Sequence, residues 1–304
     1  MPARAESATA SAPAKVNLFL RILAREESGY HGLETLFCAV SLADTVTVHR
    51  GAPGIRLAVE GGVDTGPPER NLAVRAAERF HRELGEAAAV DIHLAKRIPS
   101  AAGLGGGSSD CAATLRALNA LYGEPFGRAA LLEMAIELGS DVPFFLCGSP
   151  LALAWSRGER LLALPPLPAR PVVIAHPGVA MATPDAFRRI AERRGGGYQP
   201  LSRSMAIEQL TDWATVAALA ENDFQPIVAE QIPLIAHAVD SLRDFGASIA
   251  LMSGSGSSVF GVFEGAAERD GAMERLRGLG MSVWAADTLE EEPACRVDPI
   301  GEVG

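Results

Sequence analysis

The 304-residue chain lacks the patterns that mark several common classes of protein. Its four cysteines are far apart and show no Cys-X-X-Cys spacing, which argues against a zinc site or a disulfide framework and favours a reducing cytoplasm. No apolar run is long enough to span a bilayer, and residues 1–14 lack the apolar core of a signal peptide, so we interpret them as a frayed tail. The formal net charge of −10 argues against a nucleic-acid or acidic-membrane binder, and an anionic ligand would need positive charge placed locally.

Lysine is scarce, because Lys15 and Lys96 are the only two lysines among 27 basic residues. A genome rich in arginine codons could leave two lysines by chance. Alternatively, arginine is unacceptable at these sites, since an ammonium is a compact point charge and a guanidinium is a wide planar fork. Lys15 falls in residues 14–23, whose alternation predicts a strand with Lys15 and Asn17 on one face.

The hydrophobic pattern predicts an α+β protein in two lobes, with a break near residues 150–160. We place one lobe at residues 1–154 and the other at residues 155–304. Residues 44–50 and 54–60 are typical of the two strands of a hairpin. Further strands are predicted at 89–99, 171–178 and within 248–263, and helices at 70–84, 108–122, 128–139, 184–194, 205–220, 226–243 and 265–278.

Residues 98–115, IPSAAGLGGGSSDCAATL, place four glycines within five positions, between a predicted strand and a predicted helix. We call residues 99–109 the first glycine loop, and Ser108, Ser109 and Asp110 are candidates to cap the helix. Backbone N–H groups and a helix N-terminus there favour an anion, and the missing side chains would let the main chain approach phosphate oxygens. The segment lacks the Gly-Lys-Ser/Thr ending of a Walker A loop and the third glycine of a Rossmann fingerprint. A flexible turn is the alternative.

Two other segments favour a ligand site over a flexible turn. Asp141 is predicted between a helix end and an apolar strand, where it is either a turn residue or a carboxylate held near a hydroxyl that must lose a proton. Residues 251–263 contain small residues at 253–258, which we call the second glycine loop. This loop is either a hairpin turn or a wall that lets a phosphate or substrate approach the main chain.

Three ordered segments resemble the motifs of the GHMP kinases, the superfamily of galactokinase, homoserine kinase, mevalonate kinase and phosphomevalonate kinase. They are PAKVNLFL (13–20), PSAAGLGGGSSDCAATL (99–115) and MSGSGSSVF (252–260). The resemblance runs from about residue 13 to residue 264 and is specific to the branch whose acceptor alcohol carries cytidine diphosphate, in the non-mevalonate route to isoprenoids. The marks of that branch are GYH (29–31), TLF (35–37), LGSDVP (138–143), AHPG (175–178) and TPDAF (183–187).

The resemblance implies an α+β, two-lobed GHMP kinase fold. The N-terminal lobe would be ribosomal-protein-S5-like, the C-terminal lobe ferredoxin-like, and the active site would lie in the cleft between them. The implied reaction moves the γ-phosphoryl of ATP to a hydroxyl with Mg²⁺ as cofactor, a transfer in which a protein mostly positions groups and stabilises charge. A small-molecule acceptor, no nucleic acid or membrane partner, and a monomer or homodimer in the cytoplasm complete this expectation.

Site residues follow from the same resemblance. Asp141 would accept the hydroxyl proton as a general base, and Lys15 beside it would neutralise developing charge. Either Ser108 or Ser109 would contact phosphate or Mg²⁺, and the metal ligands remain open. The residues expected to bind nucleotide are Lys96, Pro99, Ser100, Ala101, Ala102, Gly103, Leu104, Gly105, Gly106, Gly107, Ser108 and Ser109.

The acceptor's cytosine offers a flat face for stacking and an edge for hydrogen bonds. Tyr30 and Phe187 would stack on it, His31 would read its edge, and Asn17 would hold the erythritol or its phosphate. Without its neighbours, His31 would be interpreted as a histidine in an exposed turn. The expected substrate-binding residues are Asn17, Tyr30, His31, Phe37, Thr183 and Phe187.

Two alternative functions come from different classes. One is a sister GHMP kinase acting on homoserine, mevalonate or a sugar, although those substrates have no base to stack on aromatic residues. The other is a catalytically silent nucleotide-binding regulator, which would keep the first glycine loop but would need neither Lys15 nor Asp141. Both of those residues are present.

Overall fold

The computed structural model describes residues 5–25, 31–62, 65–179, 181, 183–193 and 206–299. These residues form one seven-stranded and one four-stranded sheet together with helices, which confirms the predicted α+β class. The strands are β1 (Ala5–Arg25), β2 (His31–Arg50), β3 (Gly54–Glu60), β4 (Ala89–Ala95), β5 (Leu151–Ser156), β6 (Arg160–Ala163), β7 (Pro171–His176), β8 (Ile249–Met252), β9 (Val259–Val262), β10 (Ser282–Asp287) and β11 (Cys295–Pro299).

The α-helices are α1 (Leu72–Leu84), α2 (Gly106–Leu121), α3 (Arg128–Leu138), α4 (Thr183–Arg193), α5 (Trp213–Leu219), α6 (Gln225–Gln231), α7 (Leu234–Asp244) and α8 (Ala266–Gly278), with short 3-10 helices at Pro68–Arg70, Pro143–Leu146 and Ile207–Leu210. Two predicted helices are each divided into two: the segment 205–220 into the 3-10 helix Ile207–Leu210 and α5, and the segment 226–243 into α6 and α7. The segment 226–243 breaks at Pro233, which precedes α7, because proline cannot donate the helical hydrogen bond and restricts the residue before it. None of the helices that the structure describes is long and apolar enough to cross a membrane.

The first sheet has the order β11-β1-β2-β4-β3, and β5 and β6 extend from β2. The predicted hairpin of 44–50 with 54–60 is wrong, because β4 lies between these segments, antiparallel to β2 and parallel to β3. The reason is burial. Val48 and Ile92 are almost fully buried on β2 and β4, whereas β3 is largely exposed and lies at the edge of the sheet.

The expected frayed N-terminus is also wrong, since β1 begins at Ala5 and pairs with both β2 and the C-terminal strand β11. Ala8, Ala10 and Ala12 are fully buried in the core that also contains α2 residues. Small residues in alternation have low hydrophobicity, so this strand resembles a polar tail in sequence. The pairing also returns the C-terminal segment to the first sheet.

The second sheet has the order β10-β7-β9-β8 and is antiparallel throughout. An apolar cluster joins the two sheets, with Val16 and Leu18 of β1 in the same core as Leu251 and Phe260 of β8 and β9. The expected division at residue 154 falls inside β5. We therefore propose that the chain leaves the first lobe after β6 and that β11 belongs to that lobe. The junction of the two lobes carries the candidate site.

Candidate active site

The first glycine loop leads from β4 into α2 and lines a cavity of about 420 Å³. The helix begins at Gly106, with Gly105 in the left-handed region at the N-cap position. The expected caps at Ser108, Ser109 and Asp110 are therefore wrong, and all three residues lie inside the helix. Four residues before and within the start of α1 also line the cavity and were missed by sequence reasoning. They are Thr65, Arg70, Asn71 and Leu72.

The glycines of the loop meet different needs. A Cβ on Gly103, which has φ of 79°, would overlap the carbonyl oxygen of Ser253 in the second glycine loop. A Cβ on Gly105 would lie 3.0 Å from Cγ of Lys15, while one on Gly107 would have no neighbour closer than 3.9 Å among the described residues. Gly103 therefore permits loop-to-loop packing, and Gly105 makes room for Lys15.

The second glycine loop connects β8 and β9, so the hairpin prediction is confirmed, and the loop also lies directly on the first one. The Ser253 hydroxyl donates a hydrogen bond to the Gly103 carbonyl at 2.9 Å, and the Ser258 N–H donates to the Ala102 carbonyl at 3.2 Å. The two loops therefore pack main chain against main chain, and the role of the second glycine loop as a wall that a phosphate or substrate can approach stays a prediction.

Lys15 and Asp141 face one another beside the first glycine loop. The Lys15 Nζ lies 3.7 Å from Asp141 Oδ2, and the backbone N–H of Lys15 donates to the Leu104 carbonyl at 2.9 Å. The Asp141 side chain remains 31% exposed and can meet a ligand. The predicted strand after Asp141 is wrong, because Pro143 begins a 3-10 helix for which its fixed φ is suitable.

The Lys15 ammonium is buried against a polar and an aromatic neighbour. It donates to Asn17 Oδ1 at 2.8 Å and lies 5.0 Å from the centre of the Phe37 ring. Burial lowers the pKa of Lys15, and attraction by Asp141 offsets only part of that effect. The positive charge is therefore poorly solvated, and a further anionic group nearby would stabilise it.

Asn17 and Phe37 lie beneath the site, each only 2% exposed, and their expected role as substrate-binding residues stays a prediction. Asn17 Oδ1 also accepts from the Gly254 N–H at 2.9 Å, and its amide donates to Thr35 Oγ1 at 2.8 Å. These bonds use both ends of the amide. The geometry favours a role in which Asn17 and Phe37 position Lys15.

The remaining expected acceptor residues are placed unevenly. Tyr30 lies outside the described residues, and of His31 only the backbone is described, at the start of β2. Phe187 on α4 is half-buried, and its ring packs nearly perpendicular to that of Phe224 with 4.9 Å between the ring centres. The Thr183 hydroxyl is 2.8 Å from the Ser255 hydroxyl, which ties α4 to the second glycine loop.

Lys96 is also buried, at the base of the cavity. Its ammonium contacts Asp44 and lies 2.7 Å from Asp110 Oδ2. Although burial lowers the pKa of Lys96, these two carboxylates raise it above the usual value. Burial also raises the pKa of Asp110 to about 7, against the attraction of Lys96 and with help from Asp44. Asp44 was missed in the sequence because no motif marks it.

Asn222 is another missed residue, and it holds the second glycine loop in place. Its amide donates to the carbonyls of Met252 at 2.7 Å and Gly254 at 2.9 Å, and its oxygen accepts from the Phe224 N–H at 2.9 Å. Thirty residues or more separate it from the carbonyls it binds, so local sequence patterns give no signal for it.

Within the described ranges, no group of three or more histidine, cysteine or acidic side chains could hold a metal ion. Mg²⁺ needs few protein ligands when phosphates and water complete its shell. Ser108 lines the cavity, whereas Ser109 is fully buried and its hydroxyl has no hydrogen-bond partner in the part of the chain described. Of the two serines left open by the sequence, Ser108 is therefore the one that fits such a site.

Comparison with known proteins gives consistent matches along the chain. The family models for the GHMP kinases N terminal domain and C terminal domain match residues 71–149 and 206–279. The 4-diphosphocytidyl-2-C-methyl-D-erythritol kinase of Anaeromyxobacter dehalogenans (strain 2CP-C) is 42% identical over 299 residues, which is 95% of this chain and 92% of the relative. The enzyme of the same name from Geobacter sp. (strain M21) is 39% identical, over 88% of this chain and 94% of its own.

Solved structures agree with these relatives. A crystal structure of 4-(cytidine 5'-diphospho)-2C-methyl-D-erythritol kinase matches with a TM-score of 0.77 and 38% identity, over 92% of this chain and 98% of that one. Homoserine kinase from Cytophaga hutchinsonii ATCC 33406 matches with a TM-score of 0.71 and 21% identity, over 98% of both chains. The second match shows the fold alone.

Proposed function

The chain belongs to the GHMP kinases and, within them, to the 4-diphosphocytidyl-2-C-methyl-D-erythritol kinases, and from this premise we propose its reaction and the roles of its residues. It catalyses the ATP-dependent phosphorylation of the 2-hydroxyl of 4-diphosphocytidyl-2-C-methyl-D-erythritol in the non-mevalonate isoprenoid pathway. The observation that carries this function is the convergence at Lys15. Its ammonium faces Asp141, and its backbone N–H donates to Leu104 of the first glycine loop. Its neighbour Asn17 accepts a hydrogen bond from the second glycine loop.

The nucleotide occupies the cavity beside the first glycine loop. Its phosphates lie along the backbone N–H groups near the N-terminus of α2, where the helix dipole favours negative charge. Asn71 and Leu72, which also line the cavity, face the adenosine. Mg²⁺, when bound, neutralises charge on the phosphate oxygens, and the Ser108 hydroxyl contributes to holding it.

Asp141 and Lys15 carry the proton and charge steps. Asp141 accepts the proton of the acceptor hydroxyl through its partly exposed carboxylate. The Lys15 ammonium stabilises negative charge that develops as the hydroxyl oxygen attacks, and its burial makes this interaction stronger than it would be in water. Asn17 and Phe37 fix the direction of the ammonium.

The acceptor's base binds at some distance from the reacting hydroxyl. Tyr30 and Phe187 stack on cytosine, His31 reads its edge, and Thr183 lies where α4 meets the second glycine loop. Binding energy from a remote group of this kind lowers the reaction barrier, because it positions the hydroxyl over Asp141.

The test measures ADP release by the purified chain with ATP, Mg²⁺ and a panel of acceptors. We expect turnover of the cytidylylated acceptor, with the new phosphate on its 2-hydroxyl by ³¹P NMR. The truncated 2-C-methyl-D-erythritol phosphate should be very poor in kcat as well as in KM. An activity ratio near one, or better turnover of homoserine or mevalonate, would move the chain to a sister kinase. ATP binding without turnover of any acceptor would indicate a silent regulator.

A second test addresses the cytosine site. Stacking of a base on an aromatic ring is worth about 1–3 kcal/mol, so Tyr30→Ala should lower kcat/KM for the cytidylylated acceptor by about 5- to 150-fold. ATP affinity should be unchanged, because the adenosine lies on the other side of the first glycine loop. An unchanged kcat/KM would remove Tyr30 from the acceptor site.

A further inference from the structure

We propose that Lys96 is a positioning residue and not a ligand of the nucleotide. Together with Asp44 and Asp110 it forms what we call the Lys96 cluster, which fixes both ends of the first glycine loop. The inference rests on the proposed function only in taking the cavity beside this loop as the nucleotide site. It revises the expectation that Lys96 binds the nucleotide.

Asp44 fixes the entry of the loop. Its carboxylate is fully buried, and Oδ1 accepts from the Arg97 N–H at 2.5 Å and the Ile98 N–H at 2.8 Å, while Oδ2 contacts the Lys96 ammonium. Asp44 lies on β2 in register with Ala12 of β1, inside the first sheet. One carboxylate on a rigid sheet therefore holds the three residues that enter the loop.

Lys96 fixes the exit of the loop. Its ammonium reaches Asp110 Oδ2 at 2.7 Å, in helix α2, whose first turn contains the last residues of the loop. A Cβ built on Gly106 would lie 3.5 Å from the Lys96 Nζ and 3.0 Å from the Ile98 side chain, so the ammonium lies directly under the first residue of α2. The cluster thus joins residues just before the loop to Asp110, the first residue after it, in α2.

The charges of the cluster make Lys96 unsuitable as a phosphate ligand. Two carboxylates already contact its single ammonium, and all three side chains are at most 5% exposed. A phosphate brought to this ammonium would have to displace one of these two contacts and would approach the like charge of Asp44. Removing one member of such a cluster leaves a buried group without its partner, which costs more than the pair contributes.

The two roles predict opposite results for Asp44→Asn, a substitution of nearly the same shape. If Lys96 bound phosphate, removing a competing carboxylate would strengthen ATP binding. If the cluster positions the loop, ATP binding should weaken about 10- to 100-fold, the range for losing a charged hydrogen bond. Calorimetry of ATP binding to the full chain measures this directly. Saturating ATP should restore most of kcat, because Asp44 does not touch the reacting atoms.

Controls separate loop positioning from general damage. Asp91→Asn on β4, the exposed partner of Arg56, makes the same chemical change in the same sheet and should leave ATP affinity unchanged. Lys96→Met should weaken ATP and ADP by the same factor, and the double variant with Asp44→Asn should be no worse than the worse single variant. A loss that grows with each phosphate would instead identify a phosphate ligand.

Lys96→Arg keeps the inference testable if Asp44→Asn does not fold. It retains the charge but not the compact shape, so a positioning role predicts that ATP and ADP binding weaken by the same factor, whereas a phosphate-ligand role predicts a loss that grows with each phosphate. Unchanged or tighter ATP binding in Asp44→Asn, or unchanged binding in Lys96→Arg, overturns the inference and leaves the proposed function intact. Failure of the unsubstituted chain to bind ATP overturns both.

Discussion

Lys15 lies beside Gly105 of the first glycine loop and Lys96 beside Gly106, and the two lysines differ in how their charge is satisfied. Lys15 has one carboxylate, 3.7 Å away and partly exposed, whereas Lys96 has two in direct contact and fully inside the protein. Burial lowers the pKa of Lys15, but the pKa of Lys96 is raised in spite of burial. A buried ammonium with incomplete compensation, such as that of Lys15, can stabilise negative charge that develops on a bound ligand. A compensated ammonium, such as that of Lys96, instead holds its own carboxylate partners in place.

Asp141→Asn should have the largest effect, because it removes the proton acceptor and the carboxylate beside Lys15. General-base removal costs about 10²–10⁴ in rate, so kcat should fall within that range while calorimetry finds ATP affinity largely retained. Asp240→Asn, an exposed acidic residue on α7, is the control and should keep full activity. Retention of more than about a third of kcat would exclude Asp141 as the base.

Lys15→Arg should be nearly as damaging as Lys15→Ala, with a loss of about 10²–10³ in kcat. A wider guanidinium does not fit, since even a methyl group on Gly105 would lie 3.0 Å from the Lys15 side chain. Steady-state kinetics of both variants measures the comparison. A fully active Lys15→Arg enzyme would show that lysine is present there by chance.

Local sequence patterns predicted most of the secondary structure and the residues of the candidate site. The types of most helices and strands follow from hydrophobic period, and the proximity of Lys15, Asp141 and the two glycine loops follows from ordered motifs. The order of the strands in the first sheet was not predicted correctly. The placement of β4 between β2 and β3 depends on which face each strand buries after collapse, and a hairpin was the simpler local interpretation.

Residues that act through long-range contacts could not be predicted. Asp44 is 52 positions from Lys96, and Asn17 is 237 positions from the Gly254 N–H that it accepts from. No period or spacing links such partners. Asn17 shows the consequence, because its position beside Lys15 on a strand indicated a site residue but not that the second glycine loop would occupy its oxygen.

Asn17→Asp would make the surroundings of Lys15 resemble those of Lys96. The oxygen that now accepts from the ammonium at 2.8 Å would become charged. Burial favours the neutral form of Lys15, so kcat of the unsubstituted enzyme should fall as pH rises through a pKa below the usual 10.5. In Asn17→Asp the added carboxylate favours the charged form and should move this alkaline loss to higher pH.

The same variant should lower kcat at neutral pH by roughly three- to tenfold, since a satisfied ammonium is a poorer partner for the developing charge. Its KM for the acceptor should change little. An alkaline loss that does not move, combined with a large rise in acceptor KM, would favour Asn17 as a direct substrate ligand, as the resemblance implies.

Arg70→Ala should have the smallest effect. This variant tests whether Arg70 supplies positive charge to the nucleotide if Lys96 does not. Among the described residues that line the cavity, Arg70 is the cation besides Lys96, at the end of a 3-10 helix just before α1. Exposed charge pairs contribute about 0.2–1 kcal/mol, so KM for ATP should rise roughly 1.4- to fivefold with kcat unchanged. Arg243→Ala, an exposed arginine on α7, is the matched control. Calorimetry with ADP and adenosine separates the contacts. If Arg70 contacts phosphate, its loss weakens the binding of ADP but not of adenosine, and the difference should fade at high salt. Equal losses for both ligands would place Arg70 against the ribose or base, and would leave the main-chain N–H groups and Mg²⁺ as the source of charge for the phosphates.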